Sequence, residues 1–366
     1  MLILAGPVGQ LEHDGGSHPE RPARIGAVLQ GIGDLALGSD LVTVGARRAS
    51  REELARVHDE RYLDDLEAFS RRGGGLLDQD TYVTSTSWDA ALRAAGAGLA
   101  AIDALGSRAE GFAFVAARPP GHHAERGRGM GFCLLNNVAV AAAALTARGA
   151  RVVVVDWDVH HGNGTQEIFW DDPAVLYVST HQWPLYPGTG RPEEVGGDEA
   201  IGTTLNVPVP PGATGDVLRE ALDDVVAPVV DAFRPDWVLV SCGFDAHRAD
   251  PLAELALSSG DFAALACTVA AFAPAPGRTV LFLEGGYDLQ ALRRSTSATV
   301  GALLGDPSEN EPPTFGGPGT DAVHAAALAR ERAVDDAWDR RNGLALLDAP
   351  VTRPPPLGHS RSKSAP

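Results

Sequence analysis

Lysine is almost absent from this chain of 366 residues: Lys363 is the one lysine among 30 basic residues, set against 48 acidic ones. The resulting net charge of −18 excludes a general nucleic-acid surface, which needs a basic footprint. It is compatible with a cationic substrate or a basic peptide, although acidity also serves solubility alone. Cysteine is scarce as well. Cys133, Cys242 and Cys267 show no CxxC spacing and no disulfide framework, so a reduced, cytoplasmic setting is expected. No uninterrupted apolar run reaches the ~18 residues of a membrane-spanning helix. The opening Met1-Leu-Ile-Leu-Ala has neither the basic start nor the apolar length of a signal peptide. No internal repeat is evident. The Ala, Gly and Arg bias reads as GC-rich coding and carries no functional meaning.

The most informative stretch present is Val152-Val-Val-Val-Asp156-Trp-Asp158-Val-His160-His161-Gly-Asn163-Gly. Four β-branched residues in succession predict a strand buried on both faces, as in the middle of a parallel sheet. Asp156, Asp158 and His160 then alternate, which on an extended chain turns them to one side. Ligand-type side chains converging at the end of an apolar strand are costly to bury uncompensated, and a divalent metal compensates them.

Further apolar runs at Gly111–Ala116, Val175–Ser179, Trp237–Ser241 and Thr279–Leu283 read as strands like Arg151–Val155. Asn136–Arg148, Thr214–Phe233 and Gly260–Phe272 have helical composition, with Asp261 placed to cap the last. The alternation predicts an α/β fold with a parallel sheet covered by helices. Each run is followed by a polar or glycine-rich cluster: Arg118-Pro-Pro-Gly-His122-His123, Asp156-x-Asp158-x-His160, Thr180-His181, Phe244-Asp245-Ala-His247 and Glu284-Gly-Gly-Tyr287. Open α/β sheets bind ligands beyond the carboxyl ends of their strands, so these clusters are expected to share one crevice. Beyond about Asp306 the chain is rich in proline and glycine. It holds one more helix-like piece, Thr320–Asn342, and ends in a segment from Pro354 expected to be disordered.

Together the clusters supply the parts of a metal-assisted amide hydrolysis. Asp158, His160 and Asp245 offer one imidazole and two carboxylates with a position open for water. His122 and His123 can serve as acid and base near neutral pH, and Asp156 and Asn163 can fix their tautomers. Tyr287, flanked by Gly285 and Gly286, can present its hydroxyl to an oxyanion. His161 and His181 are expected to pack or hydrogen-bond, His13 and His18 to be rim or packing residues, and Cys133 and Cys242 to be buried thiols. Asp80 is a possible rim acid for a peptide backbone.

These stretches, with Gly129-Met-Gly-Phe-Cys-Leu-Leu-Asn-Asn137, Tyr186-Pro-Gly-Thr-Gly190, Gly243-Phe-Asp245, Glu284-Gly-Gly-Tyr-Asp288 and His18-Pro-Glu-Arg-Pro-Ala-Arg24, resemble the histone deacetylase family, in particular its class II and bacterial deacetylase-like branch. The resemblance runs in family order over roughly residues 10–305. It implies a three-layer α/β/α sandwich around a mainly parallel sheet of about eight strands, the arginase/deacetylase fold. A catalytic domain over 1–305, a helical extension over 306–349 packed on it and a flexible tail over 350–366 are expected. The resemblance further implies one zinc, or in the cell iron, on Asp158, His160 and Asp245. His123 matches the general base and acid, His122 its electrostatic partner and Tyr287 the oxyanion donor. Gly131, Phe132 and Tyr186 match an acyl-lysine tunnel, with Leu252 at its mouth. Asn163 in place of Asp, and Glu284 in place of Gly, are class II traits. Potassium or sodium is implied at two structural sites, one on Asp156, Asp158, His160, Ser179 and Thr180 and a second on Phe169, Asp172 and Val175.

The expected activity is removal of an acetyl or other acyl group from acetyl-lysine in a peptide or protein. An acetylated polyamine is the alternative, though Leu252 stands where a polyamine-selective branch carries an acidic gatekeeper. A weak acetyl-lysine reader is disfavoured by the presence of Tyr287 and both histidines. A binuclear manganese ureohydrolase is suggested by Asp245-Ala-His247-Arg-Ala-Asp250 but opposed by the histidine pair and Gly-Gly-Tyr. The GC-rich composition suggests a bacterial source, where histones are not the expected target. A homo-oligomer is compatible with all of these features.

Overall fold

The Val152–Val155 run forms a strand, carried one residue further by Asp156, in a computed structural model that describes residues 1–8, 13–108, 110–306 and 311–345. Among the described residues ten strands appear, in chain order: β1 (Leu2–Val8), β2 (Leu41–Val44), β3 (Gly74–Leu76), β4 (Tyr82–Thr84), β5 (Phe112–Ala117), β6 (Val152–Asp156), β7 (Val175–Gln182), β8 (Thr204–Val209), β9 (Trp237–Cys242) and β10 (Thr279–Leu283). The α-helices are α1 (Ala23–Gly33), α2 (Arg51–Ala55), α3 (Glu60–Arg71), α4 (Ser87–Gly106), α5 (Asn137–Thr146), α6 (Asn163–Ile168), α7 (Gly215–Glu220), α8 (Ala227–Phe233), α9 (Ser259–Ala270), α10 (Leu289–Leu304) and α11 (Thr320–Ala345). None of the described helices is long and apolar enough to cross a membrane.

Eight strands make one sheet in the order β2-β1-β5-β10-β9-β6-β7-β8, and every pairing in it is parallel. β3 and β4 form a separate antiparallel hairpin. The period of two along the strands sets the layers. Phe112, Phe114, Val153 and Val155 join a core shared with α1, α7, α8, α9 and α10. Ala113, Val115, Val152 and Val154 face the opposite way, into a core with α3, α4 and α5. The result is a sheet between two helical layers, as the resemblance implied.

Several boundaries differ from the sequence reading for identifiable reasons. β7 runs to Gln182, so Thr180 and His181 lie within the strand and not in a loop after it. The expected helix Thr214–Phe233 is α7, a π-helical segment Ala221–Val226, and α8. Pro228, near the start of α8, lacks the N–H that a regular helix would use there. Asp261 acts from the third position of α9 in a capping box with Ser258, accepting its N–H at 2.9 Å. The strands β1, β2, β3, β4 and β8 were not read from the sequence. β8 carries Pro208 and lies at a sheet edge, where a missing donor is tolerated.

After α10 the chain returns to the body through Thr314, whose N–H and hydroxyl both meet the Asp261 carboxylate. Gly317 N–H reaches Thr214 Oγ1 at 2.8 Å, and α11 then lies against β8 and α7. The expected tail, 350–366, falls outside the described residues.

A buried ion network ties the N-terminal segment to the ends of β5 and β10. The fully buried Glu20 accepts from two N–H groups of Arg118, from Arg24 Nη1 at 3.1 Å and from the Tyr82 hydroxyl at 3.2 Å. Arg24 also donates to the main-chain carbonyl of Glu284 and, at 2.7 Å, to that of Gly286. Burial would raise the Glu20 carboxyl, but Arg118 outweighs it and holds the group at about 2, against an ordinary 4.5.

Glu20→Gln leaves two buried guanidiniums facing a neutral partner, and should cost about 3–5 kcal/mol in urea unfolding near neutral pH. The folded carboxyl titrates below the unfolded one, so its charge stabilises fully above about pH 4.5 and progressively less toward pH 2. The gap between wild type and variant should therefore narrow on acidification. An equal gap at about pH 7 and about pH 3.5 would show that the ion pairs are not what Glu20 contributes.

Candidate active site

Four adjacent central strands, β5, β10, β9 and β6, end at the same side of the sheet, and the loops leaving them meet around one cavity of about 220 Å³. Of the fifth expected contributor, β7, the Thr180-His181 cluster stays out, and the loop that follows supplies Leu185 and Tyr186 instead. His181 hydrogen-bonds Ser179 Oγ at 2.9 Å and the Gly190 carbonyl at 3.0 Å within the buried layer behind the cavity.

At the end of β6 the chain bends, and Asp158 and His160 turn toward Asp245 from the end of β9. One ligand atom from each of the three lies within 4.8 Å of the other two, the one such group among the described residues. His160 Nδ1 stands 3.1 Å from Asp158 Oδ1 and 3.2 Å from Asp245 Oδ2. Both carboxylates are essentially inaccessible to solvent. Asp158 accepts the main-chain N–H groups of His160 (2.9 Å) and Gly285 (2.7 Å), and Asp245 Oδ1 accepts that of Val159 (2.9 Å). Asp245 Oδ2 has no aligned donor, so a buried oxygen with a lone pair points into the triad. Burial lowers His160, but Asp158 and Asp245 reverse this and push it up to about 10. Two carboxylates holding a positive charge between them, with one imidazole nitrogen, form a donor set that fits zinc.

The histidine pair comes from the loop after β5. His122 Nδ1 lies 3.0 Å from Asp156 Oδ2 and its Nε2 lies 3.7 Å from Asp158 Oδ1. Burial disfavours its cation, yet Asp156 and Asp158 prevail and raise it to about 10. His123 moves the opposite way: burial, reinforced by His122 and His160, takes it well below its ordinary range. Its Nδ1 meets Asn163 Oδ1 at 2.8 Å. An amide oxygen only accepts, so His123 carries its proton on Nδ1 and a lone pair on Nε2. Asn163 is itself oriented by donating Nδ2 to Glu125 Oε1 at 2.7 Å. The charges around them thus push two adjacent imidazoles in opposite directions, His122 toward its cation and His123 toward its neutral form.

Glu284 at the end of β10 supports the pair from beneath. Fully buried, it accepts the N–H groups of Gly121 (2.6 Å) and His122 (3.2 Å). Burial lifts its carboxyl to about 7, opposed by His122. Gly285 and Gly286 follow, and only a hydrogen fits at Gly285, because a Cβ there would collide with the carboxylates of Asp245 and Asp158. Tyr287 then lines the cavity, its ring 4.9 Å from the Arg24 guanidinium carbon and edge-on to Phe132 at 5.7 Å. Burial raises its hydroxyl well above the ordinary value, so the proton stays on oxygen.

Phe132 and Tyr186 line the cavity together with Gly131, Leu185 and Leu252. Phe132 has φ 69°, fixed by its N–H on Thr81 Oγ1 at 3.1 Å. Asp80 lines the same cavity, while His18 packs edge-on to Phe132 at 4.5 Å. His13 is buried and stacks on Tyr82 at 4.3 Å. His161 hydrogen-bonds Thr189 and Gln166, and Cys133 and Cys242 are buried thiols, all as expected. Ser179 pairs with Asp156 across β6 and β7, while Phe169, Asp172 and Val175 lie on the turn into β7. His247 and Asp250 stand apart from the triad: His247 Nε2 contacts Glu311 Oε2 at 2.8 Å, and Asp250 accepts main-chain N–H groups. The carboxylates a second metal would need are thus engaged elsewhere. A larger depression of about 720 Å³ borders Asn163 and Glu125 from outside, but contains none of the triad, so cavity size alone would misplace the site. Sequence reasoning missed Glu20, Glu125, Thr81 and the anchoring roles of Glu284 and Asp250.

The sequence matches the histone deacetylase domain over residues 18–303. It is 41% identical over 319 residues to histone deacetylase 10, chloroplastic, of Oryza sativa subsp. japonica, covering 81% of this chain and 72% of that one. A probable deacetylase of Archaeoglobus fulgidus is 39% identical over 295 residues, with 79% and 82% covered. The histone deacetylase-like amidohydrolase of Pseudomonas aeruginosa is 42% identical over 274 residues, with 74% and 71% covered. The crystal structure of the HDA15 HD domain superposes with a TM-score of 0.81 at 33% identity, covering 93% of this chain and 99% of that one.

Gly285→Ala tests the geometry of the triad without touching a ligand. The added methyl collides with Asp158 and Asp245, so zinc content of the purified variant should fall well below that of the wild type while the fold is kept. Full zinc occupancy in this variant would mean that the two carboxylates do not meet at a metal.

Proposed function

The chain belongs to the histone deacetylase family, and we propose that it is a zinc-dependent amidohydrolase that frees an amine from its acetyl group, acetyl-lysine in a peptide or protein foremost. Membership makes it a hydrolytic deacetylase and implies zinc as cofactor. The observation that carries the finer reading is the placement of the unsatisfied Asp245 oxygen, His160 and Asp158 beside a narrow cavity that His123 and Tyr287 also line.

Asp158, His160 and Asp245 would hold the metal. When bound, zinc supplies a Lewis acid that polarises a carbonyl and lowers the pKa of water toward about 7. His123 acts through Nε2, since Nδ1–H is committed to Asn163. It takes a proton from the attacking water and returns one to the departing amine. His122, held cationic by Asp156 and Asp158, places positive charge beside the developing oxyanion. The Tyr287 hydroxyl donates to that oxyanion from a position shielded from water. Phe132, Tyr186 and Gly131 flank the aliphatic stem, and Leu252 stands at the mouth. Asp156 with the Asp158 and His160 carbonyls, Ser179 and Thr180 belongs to the proposal as a potassium or sodium site, as does the Phe169, Asp172 and Val175 turn.

One observation favours a second substrate. Asp80 lines the cavity, and its carboxylate suits either the main-chain N–H groups of a peptide or the distal ammonium of an acetylated polyamine.

Tyr287→Phe should keep about one zinc per chain and lower turnover by about 10²-fold or more. A change confined to substrate affinity would remove Tyr287 from the chemistry. Acetate release should be compared on an acetyl-lysine peptide and on N-acetylated polyamines, each with a hydroxamate control. Hydroxamate-sensitive turnover of the peptide supports the lysine reading. Turnover of polyamines alone moves the function to small-molecule metabolism, with Asp80 as the ammonium anchor.

A further inference from the structure

We propose that Asp250 is the positioning residue that fixes Tyr287 and the tunnel wall at Leu252 relative to one another, a role that rests on the proposed deacetylase reading. The Asp245-Ala-His247-Arg-Ala-Asp250 motif looked like a source of metal ligands, but only Asp245 belongs to the triad. Asp250 turns away from it and is nearly inaccessible to solvent. Its Oδ2 accepts the main-chain N–H of Tyr287 at 2.7 Å and of Asp288 at 3.4 Å, and its Oδ1 accepts that of Leu252 at 3.0 Å.

The need for such an anchor follows from the segment it holds. Tyr287 is preceded by two glycines, and Gly286 has φ +119°, so no side chain within that pair restricts where the tyrosine is delivered. Upstream, the segment is fixed by Gly285 N–H on Asp158 and by Arg24 on the Gly286 carbonyl. Downstream, Asp288 is committed to capping α10 through Ala291 N–H at 2.8 Å. At Tyr287 itself the main-chain N–H ends on Asp250. The same carboxylate holds the loop carrying Leu252, so the hydroxyl and the mouth of the cavity share one anchor. A misplacement of about 1 Å in a group that stabilises a transition state costs up to ~10²-fold in rate.

The test is a double-mutant cycle on the zinc-loaded full chain with an acetyl-lysine peptide, using Asp250→Ala, Asp250→Asn and Tyr287→Phe singly and in combination. With Tyr287 present, Asp250→Ala should lower kcat by about 10-fold or more. In the Tyr287→Phe background it should change kcat by no more than about 2-fold, the scatter of independent sites. Any rise in KM through Leu252 should persist in both backgrounds. Asp250→Asn keeps one acceptor oxygen and should fall between wild type and Asp250→Ala, and it carries the cycle if the alanine variant does not fold. The same loss of kcat in both backgrounds, or no loss in either, would overturn the role of Asp250 while leaving the deacetylase reading intact. Equal turnover by wild type and Tyr287→Phe would overturn the reading of Tyr287, and this proposal with it.

Discussion

Two carboxylates with oxygens within 4.8 Å of one another, both sealed from water, are the constraint around which the site is arranged. Asp158 and Asp245 lie where like charges repel most strongly and where burial penalises each of them. The fold answers with main-chain donors from two loops and an imidazole between the two acids. One oxygen still lacks an aligned donor, and a divalent cation would complete the balance. The effect spreads outward. The same negative charge makes His122 cationic, and the cation beside it helps keep His123 neutral. Two identical side chains are thereby pushed in opposite directions by the charges around them, not by any difference in their own chemistry.

A second tier of carboxylates does quieter work. Glu284 grips the turn that carries the histidine pair, Asp250 grips the tyrosine, and Glu20 gathers two arginines, one of which reaches the carbonyls at either side of Gly285. Each is buried, and each is compensated by N–H groups. A small part of the acidity of the chain is therefore structural, tying loops together through their N–H groups.

This division explains how much the sequence could tell. The central strands, the triad and the histidine pair were legible because side-chain identity and strand periodicity carry them directly. The partners of His122 and His123 could be named because carboxylate and amide oxygens are the acceptors that imidazole N–H groups require. Glu284 and Asp250 were visible as residues, but not as anchors, because their partners are main-chain N–H groups that every residue except proline possesses. β8 was hidden by Asn206 and Pro208, and the π-helical stretch by a composition that suits an ordinary helix. Thr180 and His181 were misplaced because nothing in the sequence marks where β7 stops.

The order in which the chain supplies the site has a consequence for biogenesis. The four contributing strands are neighbours in space, yet their loops span Arg118 to Tyr287, and β10 inserts between β5 and β9 although it is the last of them to be made. A nascent chain that has emerged only as far as Asp245 holds all three residues of the triad, but lacks β10 and the Gly285 N–H that Asp158 accepts. Contacts of this sequence separation form late, after the entropy of closing long loops has been met. In this topology the final arrangement of Asp158, His160 and Asp245 waits on completion of the sheet, because Gly285, which donates to Asp158, follows the last of the central strands to be made.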